Sequence, residues 1–268
     1  MPGAAAETVA HACLAILSTA EPRDKLMLAR RVARDWRAGR LEHRFDVAMP
    51  DYPARPARPA LLPPNRMPKR GKAGSEASRI ALLHALAHIE FSAIDLAFDL
   101  IGRFGGGLPP AFVDDWMRVG AEEALHFALL DRRLRQMGSH YGALPAHEGL
   151  WDAAHETRHD IAARLAVVPL VLEARGLDVT PQTIERLRRA GDDVSSRILA
   201  RIASDEVRHV AAGIRWFEEI AIQRNFNAHS TFQLLVHRHF RGAVKPPFND
   251  SARRQAGLTQ EYYTALAH

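Results

Sequence analysis

Two short stretches, EEALHF at 122–127 and DEVRHV at 205–210, each set a Glu and a His three residues apart inside a segment whose apolar residues recur with helical period. In the first, the stripe is Trp116, Val119, Gly120, Phe127, Leu130 and Leu134, and Glu123 and His126 fall on it. In the second, Ile202, Ala203, Val210, Gly213, Trp216, Phe217 and Ile220 form the stripe, and Glu206 and His209 fall on it. Two further acids share this placement. Glu90 lies among Ile80, Leu83, Ala87, Ile94, Ala97 and Ile101, and Glu173 among Ala162, Leu165, Ala166 and Pro169. Four inward carboxylates are very costly unless something compensates them, so the fold must bring them a partner.

The spacing says which helices meet. Glu90 and Glu123 are 33 residues apart, as are Glu173 and Glu206, and the second set repeats the first at an offset of 83. The midpoint of the first pair falls in Gly105-Gly106-Gly107, so an antiparallel hairpin folded there brings Glu90 level with Glu123. In the second half the sequence predicts a helix break just after Glu173, at Gly176–Pro181, with Thr180-Pro181 starting a new helix and residues 177–192 forming an excursion. Four Glu and two neutral His balance two divalent cations, and mixed carboxylate and imidazole ligation suits iron or manganese better than zinc. One Glu on each of two helices, with Glu-x-x-His on each of the other two, is the ligand set of di-metal carboxylate bundles. The expected metal ligands are therefore Glu90, Glu123, His126, Glu173, Glu206 and His209. Asp205 and Glu122 precede the two motif glutamates, and the expectation is that Asp205 supports His126 and Glu122 supports His209. His84, His88 and Asp95 share a face turned away from Glu90, which reads as a polar contact with another element; His155 and His159 are assigned no metal.

Composition agrees with an all-α chain: 47% of residues are hydrophobic and 25% charged, with no run of alternating strands. Cys13 is the single cysteine, which excludes an internal disulfide and a CxxC metal knuckle and suits a reducing cytoplasm. The first residues lack a basic leader, and their apolar run is too short to span a bilayer, so a cytoplasmic protein without membrane contact is expected. The formal charge is +5. A basic strip, Arg55, Arg58, Arg66, Lys69, Arg70, Lys72 and Arg79, has two readings: contact with RNA, or arginines spent on acids of the folded surface. The second is favoured, because neither interleaved aromatics nor a nucleic-acid motif accompanies the strip.

Four regions follow. Residues 1–45 form an N-terminal helical segment, with two short helices over 7–38 and a capping box at Ser18-Thr19-Ala20-Glu21 before Pro22. Residues 46–75 form a Pro/Arg-rich extended arm. Residues 76–225 hold the helices with the ligands, interrupted near 105–107, 138–145, 176–181 and 191. Residues 226–268 form a helical tail, with a short helix at Phe232–Phe240, a stop at Pro246-Pro247 and a last helix from Thr259.

The stretches HIEFSAIDLAFDL, EEALHF, VLEARGLDVTP and SDEVRHV, the arm PARPARPALLPP and the tail KPPFNDSARRQAGLTQEYY resemble the bacterial ferritin-like proteins of domain-of-unknown-function family 455, of the di-metal carboxylate superfamily. The resemblance spans nearly the whole chain. It implies a ferritin-like four-helix bundle and the same six ligands, without naming a reaction. The first functional expectation is an O2-activating di-iron or manganese–iron oxidase or hydroxylase with an external electron donor. Its substrate would be a small molecule or, by analogy of fold, a modified nucleoside in tRNA. The alternative is a ferroxidase or a metal-handling, peroxide-scavenging protein, which the long arm and tail make less natural for a closed storage shell. A radical-generating subunit like that of ribonucleotide reductase ranks third, because the position one turn after His126 is Leu130, and Tyr52, Tyr141, Tyr262 and Tyr263 all lie outside the ligand helices. A homodimer is compatible with every one of these readings.

Overall fold

The computed structural model describes residues 7–68 and 74–267, and among them every regular element is helical. Lys69, Arg70 and Lys72 of the basic strip lie outside the described residues. The chain divides into two compact units. The first is the described part of Met1–Arg70 with Ile80–Trp151; the second is the described part of Gly71–Arg79 with Asp152–His268.

In the first unit, α1 (Val9–Leu17) and α2 (Pro22–Arg37) precede the arm. Thr8 caps α1 by accepting from the His11 N–H at 3.2 Å. The expected capping box before Pro22 does not form. Ser18 closes α1, the Thr19 hydroxyl donates back to the Ala15 carbonyl at 2.8 Å, and Glu21 becomes the N-cap of α2 with no side-chain bond. Pro22 does occupy the first turn, where its missing N–H costs nothing.

The long helices α3 (Glu76–Phe104) and α4 (Pro110–Gln136) follow, joined through the 3-10 turn Gly105–Gly107. They pack as a hairpin, with Phe91 against Phe127 and Gly120 against Phe98. Gly120 has a specific job: a Cβ there would sit 2.6 Å from the Phe98 ring, so only glycine lets α4 approach α3 this closely. The stretch of α3 up to Gly107 is long and apolar enough to cross a membrane, but 67% of its apolar 18-residue window is buried inside the protein, as in a core helix. The arm runs along this unit in hydrogen-bonded contact. Ala54 donates to the Leu17 carbonyl, Leu62 to Ala146, and Ala146 back to Ala60. A short 3-10 turn, Pro64–Arg66, interrupts it.

In the second unit, α5 (Gly149–Glu156) leads to α6 (Ile161–Val167), which Asp160 caps. The chain then runs without a break through a π-helical segment, Val168–Glu173, into α7 (Ala174–Arg189). The break predicted at 176–181 is absent. Thr180-Pro181 lies inside α7, and residues 177–189 continue that helix instead of forming an excursion. The turn falls at Ala190–Asp192, with Gly191 at a φ of +72°. That is close to midway between Glu173 and Glu206, so the second pair also faces across a turn, although less symmetrically than the first. α8 (Asp193–Gln223) packs back along α7, the π segment and α6. Here Gly213 plays the part of Gly120: a Cβ on it would lie 2.7 Å from the Pro169 ring. The tail adds α9 (Ala228–His239), α10 (Asp250–Gln255) and α11 (Gln260–Tyr263). The sequence reading had missed α10 and had started α9 four residues late.

Candidate metal centre

The first hairpin assembles three of the six expected ligands. Helical period turns Glu90 of α3, and Glu123 and His126 of α4, to the buried face, where their exposures are 5%, 1% and 0%. One ligand atom from each of the three lies within 4.8 Å of the other two. His126 Nδ1 is 3.2 Å from Glu90 Oε2 and 3.5 Å from Glu123 Oε2. Burial, and then the charge of Glu123, hold the Glu90 carboxyl well above the usual carboxylate range. Burial alone would depress His126, but its bonds to Glu123 and Glu90 override that and raise it to about 11. Both shifts report one fact: this pocket concentrates negative charge and draws in positive charge, a proton or a metal cation.

The second hairpin places the other three at repeated positions. His209 is fully buried on α8, with its Nδ1 3.5 Å from Glu206 Oε1. Glu206 is nearly buried, and Glu173, which is half-buried, closes the π segment. That segment was not foreseen. Pro169 has no N–H to give an α-helical ladder, and the wider winding that follows carries the helix to Glu173 in a shifted phase. The available signal was the proline itself, four residues before an expected ligand.

Asp205 is buried and bonded on its own helix to Arg201 (2.7 Å) and Arg208 (2.6 Å). Glu122 is half-buried, on the side of α4 that faces α2. The polar-contact reading of His84, His88 and Asp95 agrees with what surrounds them. His84 Nε2 accepts from the Gly142 and Leu144 amides at 2.9 and 3.4 Å. His88 lies 2.9 Å from the Tyr141 hydroxyl and 3.2 Å from the His147 carbonyl. Asp95 is fully buried and gripped by Lys25 of α2 and Arg55 of the arm, and Arg55 also reaches Glu148 at 2.8 Å. Burial is the largest influence on Lys25, lowering it, and on Asp95, raising it, so the pair resists charging even while it bonds. His155 belongs to α5, a separate helix from the one that carries Glu173.

Of the basic strip, Arg55 is therefore spent on acids, and Arg79 lies 3.5 Å from Asp192. The sequence reading missed Asp178 and Arg253. Arg253 of α10 makes two parallel bonds to Asp178 of α7, at 2.8 and 2.7 Å, and lies against the Phe248 and Tyr263 rings. This pair ties the tail to the helix that continues from Glu173. A signal for it was present: Asp178 follows Glu173 by five residues, as Asp95 follows Glu90.

Comparison with known proteins places these residues in a family. A protein from Haemophilus influenzae (strain ATCC 51907 / DSM 11121 / KW20 / Rd), itself described as uncharacterized, is 39% identical over 259 residues, covering 91% of this chain and 88% of its own. No solved structure matches the chain. Residues 18–264, which include both hairpins, the whole arm and most of the tail, match a family model described as a protein of unknown function, and the chain belongs to that family, DUF455.

Proposed function

We propose that this protein is a di-metal carboxylate oxidoreductase whose two hairpins come together as a ferritin-like four-helix bundle, with Glu90, Glu123, His126, Glu173, Glu206 and His209 as ligands. One observation carries the reading: Glu90, Glu123 and His126 crowd their donor atoms within 4.8 Å of one another in a buried pocket, and the same residue types recur at the same spacing in the second hairpin. The residues fit the group. Carboxylates and imidazoles are the donors that iron and manganese take, and two divalent cations cancel the charge of four buried glutamates.

Bound there, such a metal pair supplies Lewis acidity and redox exchange with O2. The chain's own part is to hold its acids deprotonated against a cation and to keep water from them. Phe91, Phe127, Leu130 and the other apolar residues of the first hairpin provide that dry surround. In this reading Asp205 fixes the His126 ring by accepting its second N–H. The substrate is a small organic molecule oxidised at a C–H bond, and electrons arrive from an external donor.

The test is the metal content of protein made in iron- and manganese-supplemented cells. About two metal ions per chain are expected for a pair of sites, with loss in Glu206→Ala while helicity is unchanged. A folded wild-type protein that binds neither metal would reject the reading. Metal that consumes O2 only when free Fe2+ is supplied would make it a ferroxidase.

A further inference from the structure

We infer that the groove between α2 and α4 is a docking site for an acidic amphipathic helix of a partner protein. The inference uses the first unit alone and stands apart from the metal reading. The groove encloses about 830 Å3. Its rims carry five exposed arginines, Arg23, Arg30, Arg34 and Arg37 from α2 and Arg118 from α4. None of the five pairs with an acid among the described residues. Arg31 and Arg132 also lack an acid partner, but these five converge on one groove, whereas Arg40, Arg55, Arg103, Arg135, Arg201 and Arg208 are each paired. The groove's own acids are Asp114 and Glu122, and Asp114 already accepts from the Trp36 indole at 2.7 Å. An excess of unpartnered positive charge therefore faces one concave surface.

Between the rims runs an apolar floor of Leu26, Met27, Met117, Ala121 and Leu125. Met27 is 62% exposed, an unusual place for a large flexible apolar side chain that nothing covers. Arg23 to Arg37 spans fourteen helical steps, roughly 21 Å, the length of a partner helix of about four turns. An amphipathic helix with Leu or Met on one face and Glu or Asp on its flanks fits both features, its apolar face on the floor and its acids on the rims. Single-stranded RNA would meet the charge but not the floor, because no aromatic side chain lines the groove to stack a base. Glu122 places this surface one residue from Glu123, so a docked partner would lie alongside the helix that carries the first ligand pair.

The experiment measures fluorescence anisotropy of the full-length protein with three labelled probes: a 14-residue helical peptide with leucines on one face and glutamates on its flanks, a scrambled peptide of the same composition, and a 12-nucleotide oligouridylate. The amphipathic peptide is expected to bind at least about tenfold tighter than the scrambled one, more weakly as salt is raised. Arg30→Glu/Arg34→Glu should lose that advantage, and a peptide with lysines replacing the facing glutamates should restore it. Met27→Asp, which leaves every arginine in place, should weaken binding separately. Equal binding of the two peptides, an unaffected double variant, or tighter binding of the oligouridylate would overturn the proposal.

Discussion

In the first unit Asp95 is clamped by two cations, Lys25 from α2 and Arg55 from the arm, under a helix that runs unbroken past Glu90. In the second, Asp178 at the equivalent position is clamped by one buried cation, Arg253 of the tail, with the partly exposed Arg175 of its own helix 3.5 Å away, and its helix passes through a π segment to reach Glu173. The two hairpins share Glu, Asp, an acid-Glu pair and His at an offset of 83, yet the bracing comes from opposite ends of the chain. The arm and the tail, which look like decoration in the sequence, occupy corresponding places. Each carries an arginine to a buried aspartate five residues beyond a candidate ligand. The first brace is heavily desolvated and rigid. Both rest on ring faces, Lys25 and Arg55 over Phe91 and Arg253 over Phe248 and Tyr263, so what differs is the number of buried cations each aspartate holds.

That difference ranks the largest expected effects. Asp95→Asn leaves Lys25 buried without its carboxylate partner and Arg55 with Glu148 alone, and should cost about 3–5 kcal/mol, read by urea unfolding. Asp178→Asn strips the anion from one buried cation, Arg253, and should cost less, about 2–3 kcal/mol, with increased hydrogen exchange confined to the tail. Equal losses, or the reverse order, would break the comparison and show that the number of buried cations does not set the cost.

A pH titration separates the units next. His84 and His88 belong only to the first, and burial pushes each down to about 4. Three further charges face His88, Glu148 raising it and Arg55 and His147 lowering it, the His147 carbonyl also raises it, and His140 lowers His84. The folded values lie below the ordinary histidine value near 6.5, so the unfolded chain takes protons first as pH falls. The contribution is therefore complete above about pH 6.5, declines below it and is gone below about pH 4, on the order of 3 kcal/mol for each ring. His84 gives the mechanism: its Nε2 accepts two amide N–H groups and cannot do so once protonated. Exchange in the 138–148 loop should accelerate in that window while α7 and α8 stay protected, and replacing His84 with Gln should flatten the dependence.

The sequence made much of this legible and hid the rest for identifiable reasons. Glu90, Glu123, His126, Glu206 and His209 were readable because a polar residue on an apolar stripe contradicts its surroundings, and periodicity exposes the contradiction. The first turn was readable because three glycines in a row cannot sit comfortably inside a helix. The second was misplaced because Gly176 and Thr180-Pro181 carry the signs of a helix end, and tertiary packing against α8 overrode them; Pro181 is simply carried inside α7. The π segment stayed hidden because an added residue per turn leaves the apolar composition unchanged. Asp178 and Arg253 are 75 residues apart, beyond the reach of any local pattern, and only the repeat at 83 could have suggested them.

The two glycine contacts give the smallest and sharpest comparison. Gly120 and Gly213 each admit a facing side chain, and a methyl group at either site meets it well inside van der Waals distance, at 2.6 Å from Phe98 and 2.7 Å from Pro169. Relief differs between them. Phe98 can turn about its own χ angles, even in a full core, whereas the Pro169 ring is tied into the backbone of the π segment and can move only with it. Gly120→Ala should therefore cost about 1 kcal/mol and Gly213→Ala about 2–3 kcal/mol, the usual range for overpacking. The second variant should also displace the segment that ends at Glu173, and metal content per chain should fall in Gly213→Ala but hold in Gly120→Ala. If both alanine variants kept their metal and lost equal stability, the π segment would be a packing accommodation to Pro169 with no part in presenting Glu173.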